Sequence, residues 1–559
     1  MGDIGLSILA ALPLIVVGVL LVGFRTPAKF AMPVGYVCVV ALAAGVWDVS
    51  AAQVTAASVK GLTITAEILL IVFGAVLLLR TLECTGAMQA IRSSVSNASP
   101  DQRVQVIVVA WLFGSFVEGS SGFGTPAALA APLLVGLGFP PLAAVFAGLA
   151  IQCTPVSFGA AGTPILVGVS TGLSGSPEVQ QYAASLGYAS EADWRGFLQA
   201  IGLRVAVLHA AIGTLVPLLM TALMTRFFGP NRSFRDGLSV WPFALFAALA
   251  MTVPYLAAAW LLGPEFPALA GGLVGLVVVA LALKLGFFRS YADSPWRFEP
   301  TTPHSHTDAV EQDAPTVPIS AVWAWAPYAL AAALLLLTRT APAVKQALTS
   351  FVIPVASPLG ASFSRSVAPL YSPGTIFVVV SLLAFAAFHR RGGRPWRTYG
   401  GEWRAAAATV ARASVALLFA VPLVQVFILS GGGTAGHESM PLSLAAGVES
   451  VVGSAWPTVA PTVGGLGAAV AGSNTISNMM FSLFQFDVAV RIGADPLWVV
   501  ALQAVGGAAG NTICVHNIVA ASAVVGVSGQ EGVLIRKTWW VFFYYVLAAG
   551  AAGIVLAGR

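Results

Sequence analysis

Four short polar strings interrupt long apolar stretches of this chain, and they constrain its fold more than any other feature. They occupy residues 118–126 and 152–164 in the first half and residues 472–478 and 510–517 in the second. A backbone embedded in lipid can leave the helix only where protein or a water-filled cavity satisfies its amide groups. Segments broken by glycine and proline at corresponding places of two halves are typical of the binding site of a transporter. The strings therefore predict a transporter built on broken helices.

A repeated turn pattern supports the division into two halves. The pattern G-x-x-P-L begins at Gly138 and again at Gly493, 355 residues later, and each copy lies between the two polar strings of its half. This correspondence predicts an all-α, polytopic membrane protein with two corresponding halves, about 12 to 14 crossing segments and two re-entrant hairpins. We expect the halves to span residues 1–290 and 320–559, with a hydrophilic linker at 291–319.

The composition independently indicates a membrane protein. The chain is 58% hydrophobic and 9% charged, whereas soluble domains carry about 25% charged residues. Apolar runs close to the roughly 20 residues that cross a bilayer recur along the sequence. The first run, at residues 4–24, has neither a basic leading region nor a cleavage site, so we expect a retained span and not a signal peptide. Basic residues flank the apolar runs and form no patch, which excludes a nucleic-acid partner.

Neither a metal nor a cofactor is expected. The linker is rich in proline and charge, so it is predicted to be a loop or a disordered segment. Its His304 and His306 could in principle hold a metal, but solvated histidines fit a flexible loop better. The four cysteines show no metal-ligand spacing. A second non-spanning stretch, residues 338–373, is predicted to be extracellular and to contain a short interfacial helix.

The polar strings supply amide, hydroxyl and glycine groups but a single carboxylate. Close helix packing explains many of the glycines. It explains poorly why asparagine and threonine gather in apolar surroundings, because an unpaired buried amide costs about 1–3 kcal/mol. Half-helix N-termini beside hydroxyl and amide side chains favour a small polar organic anion. The residues predicted to bind this anion are Ser120, Ser121, Thr125, Thr154, Ser157, Thr163, Ser473, Asn474, Thr475, Asn478, Asn511, Thr512 and Asn517.

Four ionisable residues are candidates for charge neutralisation or proton coupling. Glu118 is the carboxylate nearest to the strings, and His209 and His516 are histidines within apolar segments. For each histidine the alternative is a structural hydrogen-bonding role. Arg204 follows the interfacial Trp194 by ten residues, which places it roughly 15 Å deep in the bilayer. It could neutralise a substrate carboxylate, pair with Glu118 or form a structural ion pair.

The polar strings resemble those of the L-lactate permease family. The resemblance rests on residues 118–126, 157–164, 472–478 and 510–517 and appears along most of the chain. It implies a multi-pass protein of the bacterial inner membrane that moves L-lactate, often also D-lactate and glycolate, together with protons. The partners would then be a 2-hydroxy monocarboxylate anion, the proton and the lipid bilayer. The oligomeric state is left open and includes a homo-oligomer.

One triplet also resembles a broader superfamily. Ser473-Asn474-Thr475 is similar to the hairpin-tip triplets of the divalent-anion/sodium symporters, which implies two inverted-repeat halves and an elevator-like movement. In the first half the corresponding triplet is Gly119-Ser120-Ser121, which lacks the amide. This departure favours proton coupling over a paired sodium site, and a sodium-coupled carboxylate transporter is the alternative.

Other functional classes fit less well. The chain contains no H-E-x-x-H or G-x-S-x-G string, and no Gly-Asp pair in a suitable apolar context, so an intramembrane enzyme is not expected. Paired broken hairpins favour alternating access over a channel. A channel would not accumulate substrate against a gradient, which distinguishes the two by experiment.

Overall fold

Helices make up most of the described chain, and two short strands accompany them. The computed structural model describes residues 3–20, 24, 26–96, 99–122, 124–190, 193–299, 319–355, 365–390 and 395–558. Apolar residues dominate both the core and the outer surface. The outward-facing surface includes Val253, Leu281 and Leu547, each of which is more than half exposed. Such a surface suits lipid and not water.

Among its described residues, the first half of the chain contains seventeen α-helices, several of them short. They are α1 Asp3–Gly18, α2 Ala28–Gly45, α3 Ala51–Cys84, α4 Ala87–Ser96, α5 Gln102–Val106, α6 Gly114–Ser121, α7 Thr125–Gly136, α8 Pro141–Ala150, α9 Gly159–Thr163, α10 Ser170–Leu173, α11 Pro177–Ser185, α12 Trp194–Gly213, α13 Val216–Phe228, α14 Phe234–Leu238, α15 Trp241–Leu261, α16 Pro267–Lys284 and α17 Arg289–Asp293 among the described residues.

The second half contains ten helices and a two-stranded antiparallel hairpin among its described residues. The helices are α18 Ala321–Thr340, α19 Pro342–Thr349, α20 Pro373–His389, α21 Trp396–Ile428, α22 Met440–Val452, α23 Trp456–Ala471, α24 Asn474–Arg491, α25 Pro496–Gly510, α26 Val515–Val524 and α27 Glu531–Ala557. The strands are β1 Ile353–Val355 and β2 Arg365–Val367, with Pro354 opposite Ser366.

Irregular turns interrupt the helices at the polar strings. In the first half, π-helical segments occupy Ile107–Phe113 and Pro164–Val169, and 3₁₀ turns occupy Ile151–Cys153 and Val156–Phe158. In the second half, a 3₁₀ turn at Asn511–Ile513 joins α25 to α26. π-bulges inside helices frequently mark functional sites. The predicted helix breaks through 152–164 and 507–517 are thus confirmed.

The number of membrane crossings can be bounded. In the part of the chain that the structure describes, nine helices are long and apolar enough to cross a membrane, or up to eleven if each of two bent pairs forms one span. Shorter apolar helices of 10–17 residues, among them α7 and α13, accompany them. The all-α polytopic architecture with broken helices is confirmed. The predicted number of crossings, the re-entrant hairpins and the elevator-like movement stay predictions.

The two halves repeat the same order of turns around their polar strings. A left-handed glycine precedes each inner helix: Gly124, with φ 76°, comes before α7, and Gly472, with φ 78°, comes before α24. The repeated G-x-x-P-L turns follow those helices, and Gly138 and Gly493 have φ values of 84° and 70°. Glycine is required at such positions because other residues rarely adopt positive φ. The repeated pattern in the sequence therefore corresponds to a repeated backbone path.

Helix α24 joins the halves because it packs against the end of the first-half string. It contacts the π-helix Pro164–Val169 and α10. A Cβ atom added at Gly168 would lie 2.8 Å from the carbonyl oxygen of Thr475, and one at Gly172 would lie 3.0 Å from that of Asn478. Small residues at these positions let the two backbones approach. This contact holds strings 152–164 and 472–478 side by side.

The described start of the predicted linker is anchored to the first half. The backbone N–H of Gln102 donates to the Trp296 carbonyl at 3.0 Å, and the N–H of Trp296 donates to Asp101 Oδ2 at 3.1 Å. Residues 300–318, which include His304 and His306, lie outside the described residues. The stretch 338–373 contains the short helix α19 and the β1–β2 hairpin, and its residues 356–364 also lie outside the described part.

Candidate functional site

Residues from all four polar strings surround one small cavity. Its lining contains glycine, amide and hydroxyl residues, one carboxylate and three apolar residues. The lining residues are Glu118, Gly122, Gly124, Val156, Gly159, Ala160, Thr163, Pro164, Gly472, Ser473, Asn474, Thr475, Asn511 and Asn517. The cavity has a volume of about 20 Å³, enough for roughly one water molecule. The strings predicted from the sequence therefore converge, around a space that is contracted in this conformation.

Two helix N-termini end at this cavity. Helix α7 starts directly after Gly124, and α24 starts after Gly472 and Ser473, both of which line the cavity. The first N–H groups of a helix lack intrahelical partners, and the helix dipole adds positive potential there. In addition, a Cβ atom at Gly124 would lie 2.6 Å from Asn517 Oδ1, so glycine keeps that amide close. The cavity is thereby suited to an anion.

A strained turn forms the wall on the first-half side. Ala160, Ala161 and Gly162 all adopt left-handed backbone angles, with φ of 44°, 53° and 78°. Consequently α9 is a turn and not a regular helix. For a non-glycine residue this conformation costs on the order of 1–3 kcal/mol and persists only where the surroundings enforce it. Strained backbone of this kind concentrates at binding sites and switch regions.

Glu118 is the one carboxylate in the cavity lining, and it is almost fully buried. Its side chain is 1% exposed, and its Oε2 atom has no hydrogen-bond partner among the described residues. Gly159 leaves the space that the carboxyl group occupies, because a Cβ atom there would collide with Oε1. An ionised carboxylate without a partner is costly in such surroundings. Glu118 is thus placed to exchange a proton or to contact a ligand.

A chain of buried hydrogen bonds supports the amide of Asn474. Asn474 Nδ2 donates to Ser157 Oγ at 3.4 Å and to the Ala504 carbonyl at 3.3 Å. His209 Nε2 lies 2.9 Å from the same Ser157 oxygen, and His209 Nδ1 lies 2.5 Å from the hydroxyl of Tyr545. Because Ser157 donates its own proton to Ala504 at 3.0 Å, Nε2 must be the donor and Nδ1 the acceptor.

Tyr545 and Thr154 complete the hydrogen-bond network around His209. Its Nδ1 atom accepts the proton of Tyr545, and Tyr545 is then free to accept from Thr154 Oγ1, which lies 3.1 Å away. Both ring nitrogens of His209 are satisfied, and the residue is fully buried. A completely paired network of this kind rigidifies its surroundings. His209 therefore holds Ser157 and, through it, Asn474 in position.

Three buried amide oxygens near the cavity accept no hydrogen bond from the described residues. They belong to Asn474, Asn478 and Asn511. The oxygens of Asn474 and Asn478 both face Gly507, where a Cβ atom would collide with the former and lie 3.6 Å from the latter. Unpaired buried acceptors cost free energy. They are consistent with a ligand that supplies a donor or a positive charge.

The structure separates the predicted substrate residues into two groups. Thr163, Ser473, Asn474, Thr475, Asn511 and Asn517 line the cavity. The remaining predicted residues lie behind the lining: Ser120, Ser121, Thr125, Thr154, Ser157, Asn478 and Thr512. Several of these bond to the backbone instead, as Ser120 and Ser121 do to the Val117 carbonyl at 3.0 and 2.8 Å. Their roles are thus to support the site and not to form its surface.

Among the predicted coupling residues, Glu118 alone lines the cavity. Arg204 Nη2 lies 3.6 Å from Asp495 Oδ2, and its guanidinium group sits 5.5 Å from the ring centroid of Trp498. This geometry matches one of the three roles predicted for Arg204, the structural ion pair. His516 is exposed and adjoins Gly472 from outside the lining.

Two residues near the cavity are not among the site residues predicted from the sequence. Gln152 Oε1 accepts from Asn517 Nδ2 at 3.1 Å, and its own Nε2 has no partner among the described residues. Its position at the start of a polar string was the available signal. Tyr545, which completes the His209 network, lies on α27 within an aromatic run that gives no such signal. In the described part of the chain, no group of three or more His, Cys, Asp or Glu residues could hold a metal ion.

Comparison with known proteins identifies the family. The model of the family described as L-lactate permease matches residues 6–557. The chain is 28% identical over 508 residues to the putative L-lactate permease of Haemophilus influenzae, which covers 87% of this chain and 86% of that protein. It is 28% identical over 494 residues to the L-lactate permease of Escherichia coli, and this match covers 84% of this chain and 80% of that protein. It is 26% identical over 576 residues to the glycolate permease GlcA of the same species, and this match covers 96% of this chain and 93% of that protein. This chain belongs to the L-lactate permease family, and it is a multi-pass membrane transporter.

Proposed function

We propose that this protein imports L-lactate, together with D-lactate and glycolate, by proton symport across the bacterial inner membrane. The observation that carries the proposal is the convergence on one cavity of two helix N-termini, amide and hydroxyl groups, and a carboxyl group whose Oε2 atom has no hydrogen-bond partner among the described residues. The names of the relatives, L-lactate permease and glycolate permease, support the choice of 2-hydroxy monocarboxylates. A homo-oligomer is compatible with the proposal, which does not depend on it.

The substrate would bind through its carboxylate and its hydroxyl group. The carboxylate would accept hydrogen bonds from the free N–H groups at the start of α24, near Ser473 to Thr475, where the dipole favours negative charge. The 2-hydroxyl group can donate to an amide oxygen such as that of Asn511 or Asn474, which would satisfy an acceptor that is otherwise unpaired. A monocarboxylate with a neighbouring hydroxyl group therefore matches both features.

Binding requires the cavity to expand. A volume of about 20 Å³ corresponds to roughly one water molecule, whereas lactate has six non-hydrogen atoms. The walls of the cavity must therefore separate when substrate binds, and the left-handed turn Ala160–Gly162 and the N-terminus of α24 are the backbone elements that meet there. Alternating access by movement of broken helices, including the elevator-like movement, supplies such a separation.

Proton coupling is assigned first to Glu118. Symport needs a group that binds a proton together with the substrate and releases it on the other side of the membrane. Glu118 faces the cavity, and none of the described residues neutralises its carboxyl group. Its charge would also repel the carboxylate of the substrate, so protonation and substrate binding favour each other. The paired network of His209 supports a positioning role for that residue.

Sodium coupling is the second candidate, and one observation favours it. The unpaired amide oxygens of Asn474, Asn478 and Asn511 are hard ligands of the kind that a small cation accepts. The two kinds of coupling are distinguished by comparing uptake driven by an imposed pH gradient with uptake driven by a sodium gradient.

The substrate class is tested by counterflow in proteoliposomes. We expect vesicles loaded with unlabelled L-lactate to take up labelled L-lactate transiently, and D-lactate and glycolate to replace it inside the vesicles. Propionate, which lacks the 2-hydroxyl group, should support far less exchange because an amide acceptor stays unpaired. Protein-free vesicles are the control for passive permeation. Equal exchange with propionate, or no exchange with any 2-hydroxy acid, would contradict the proposed substrate class.

A further inference from the structure

A second and much larger cavity lies beside the site. Its volume is about 890 Å³. Its walls come from α3, the segment 161–170, the start of α12, α19, the β1–β2 hairpin and residues 368–373. We call this space the vestibule. Leucine, isoleucine and valine side chains form much of its surface, and four charged residues, Glu67, Arg195, Glu265 and Lys345, also face it.

A single turn separates the vestibule from the site. Ala160 lines the site cavity, Ala161 lines the vestibule, and Thr163 lines both. The partition is therefore one backbone turn thick. This turn is the strained left-handed segment Ala160–Gly162.

The partition is braced by an ion pair whose carboxylate is buried. A Cβ atom at Gly162 would collide with the carbonyl oxygen of Pro264, so the turn rests directly on the loop before α16. The next residue, Glu265, is fully buried and accepts two hydrogen bonds from Arg195, at 2.7 and 3.0 Å. A bidentate arginine–carboxylate pair fixes geometry as well as charge. Arg195 and Glu265 thus hold the loop that supports the turn.

Lys345 is an exposed cation in the lining of the vestibule, which also contains the carboxylate of Glu67. It lies on α19, is exposed, and has no ion-pair partner among the described side chains. Arg195 is neutralised by Glu265. A cation beside a low-dielectric wall attracts anions and raises their local concentration.

We propose, on the basis of the transport function above, that the vestibule is the access site through which the monocarboxylate anion reaches the binding cavity. Lys345 attracts the carboxylate, and the Ala160–Gly162 turn, braced by Arg195 and Glu265, is the partition that moves to admit it.

Labelling of an introduced cysteine tests the access route. Ala66 lies on α3, is exposed and lines the vestibule, so Ala66→Cys should react with a sulfonatoethyl methanethiosulfonate reagent in detergent. After reconstitution, the labelled protein should have lost lactate counterflow because the adduct fills the route. L-lactate added during labelling should slow the reaction. The background carries Cys38→Ala and Cys84→Ala, since the other two cysteines are buried.

Two further variants control this experiment. Leu281→Cys, on α16 and 54% exposed, lies outside the vestibule lining and should keep its counterflow after labelling. Thr63→Cys, also on α3 and in the vestibule lining, replaces Ala66→Cys if that variant does not fold. Full counterflow after complete labelling at either vestibule position would overturn the proposal. Absence of counterflow in the unlabelled parent protein would overturn the transport function as well, which separates the two failures.

A charge reversal tests the role of Lys345. Lys345→Glu should raise KM for lactate roughly 3- to 10-fold at low ionic strength, with kcat unchanged and with a smaller effect at high salt. Lys345→Arg should restore the parent KM. Lys284→Glu makes the same charge change at an exposed position on α16 outside the vestibule and should leave KM unchanged. An unchanged KM in Lys345→Glu, or an equal rise in Lys284→Glu, would overturn the assignment.

Discussion

Glu118→Gln is expected to abolish lactate accumulation while exchange of lactate down its gradient continues. Glutamine keeps the size of the side chain and a neutral, hydrogen-bonding end, so it imitates the protonated carboxyl group in the cavity lining. Exchange requires only that the loaded carrier moves, and a permanently neutral residue permits this. Accumulation requires a proton to bind and leave, which glutamine cannot do. The measurement compares counterflow with acid-driven uptake in the same proteoliposomes.

The control for this variant is the same substitution at an exposed carboxylate. Glu449 on α22 is 41% exposed and does not line the cavity, so Glu449→Gln should retain both activities. If Glu118→Gln concentrates lactate as well as the parent protein does, Glu118 has a structural role. The same pair of assays would then be applied to His516 and afterwards to His209.

Asn474→Ala should weaken lactate binding by about 1–3 kcal/mol, which is roughly a 5- to 150-fold rise in the dissociation constant. Asn474 lines the cavity at the N-terminus of α24 and is 1% exposed. Its amide also bonds to Ser157 and Ala504. The substitution removes the proposed substrate contact and leaves the hydroxyl group of Ser157 with one hydrogen-bond partner fewer. Tryptophan fluorescence or calorimetry on purified protein would measure the affinity.

A matched control separates this effect from a general loss of stability. Asn231 is exposed and bonds to Asp236 far from the cavity, so Asn231→Ala should leave the affinity unchanged. The melting temperature of both variants should be recorded. An unaltered affinity in a folded Asn474→Ala protein would remove this residue from the substrate site.

The positions of the helix breaks could be predicted from the sequence because they depend on residue type. A glycine with positive φ precedes α7 and α24, and the proline of each G-x-x-P-L pattern is the first residue of the next helix, Pro141 of α8 and Pro496 of α25. These requirements are local, so the sequence pattern predicts them. The direction of individual side chains is decided by longer-range packing. For this reason Asn474 and Asn511 line the cavity, while Ser120 and Ser121, predicted in the same way, bond to the backbone of their own helix.

The partner of Arg204 could not be predicted from the sequence. Its position along α12 predicts its depth in the bilayer, but depth does not determine which side chain it contacts. The partner is Asp495, in the repeated turn of the other half. Nothing in the local sequence of α12 specifies this contact, since it depends on how α12 packs against α25.

The left-handed turn was also beyond prediction from sequence. Alanine rarely adopts positive φ, and neither Ala160 nor Ala161 signals it. The turn is enforced by tertiary contacts, including the loop at Pro264 behind Gly162. Strain supported in this way is expected where a backbone segment has to move.

The most direct test of the account is lactate accumulation in proteoliposomes under two separate gradients. Vesicles receive an acidic exterior without sodium, or an inward sodium gradient at equal pH, and protein-free vesicles correct for permeation of lactic acid. The account predicts that the acidic exterior drives L-lactate above its external concentration, that a protonophore collapses this accumulation, and that the sodium gradient drives none. Accumulation that follows the sodium gradient and is indifferent to pH would contradict proton symport and assign the unpaired amide oxygens of Asn474, Asn478 and Asn511 to a sodium ion instead.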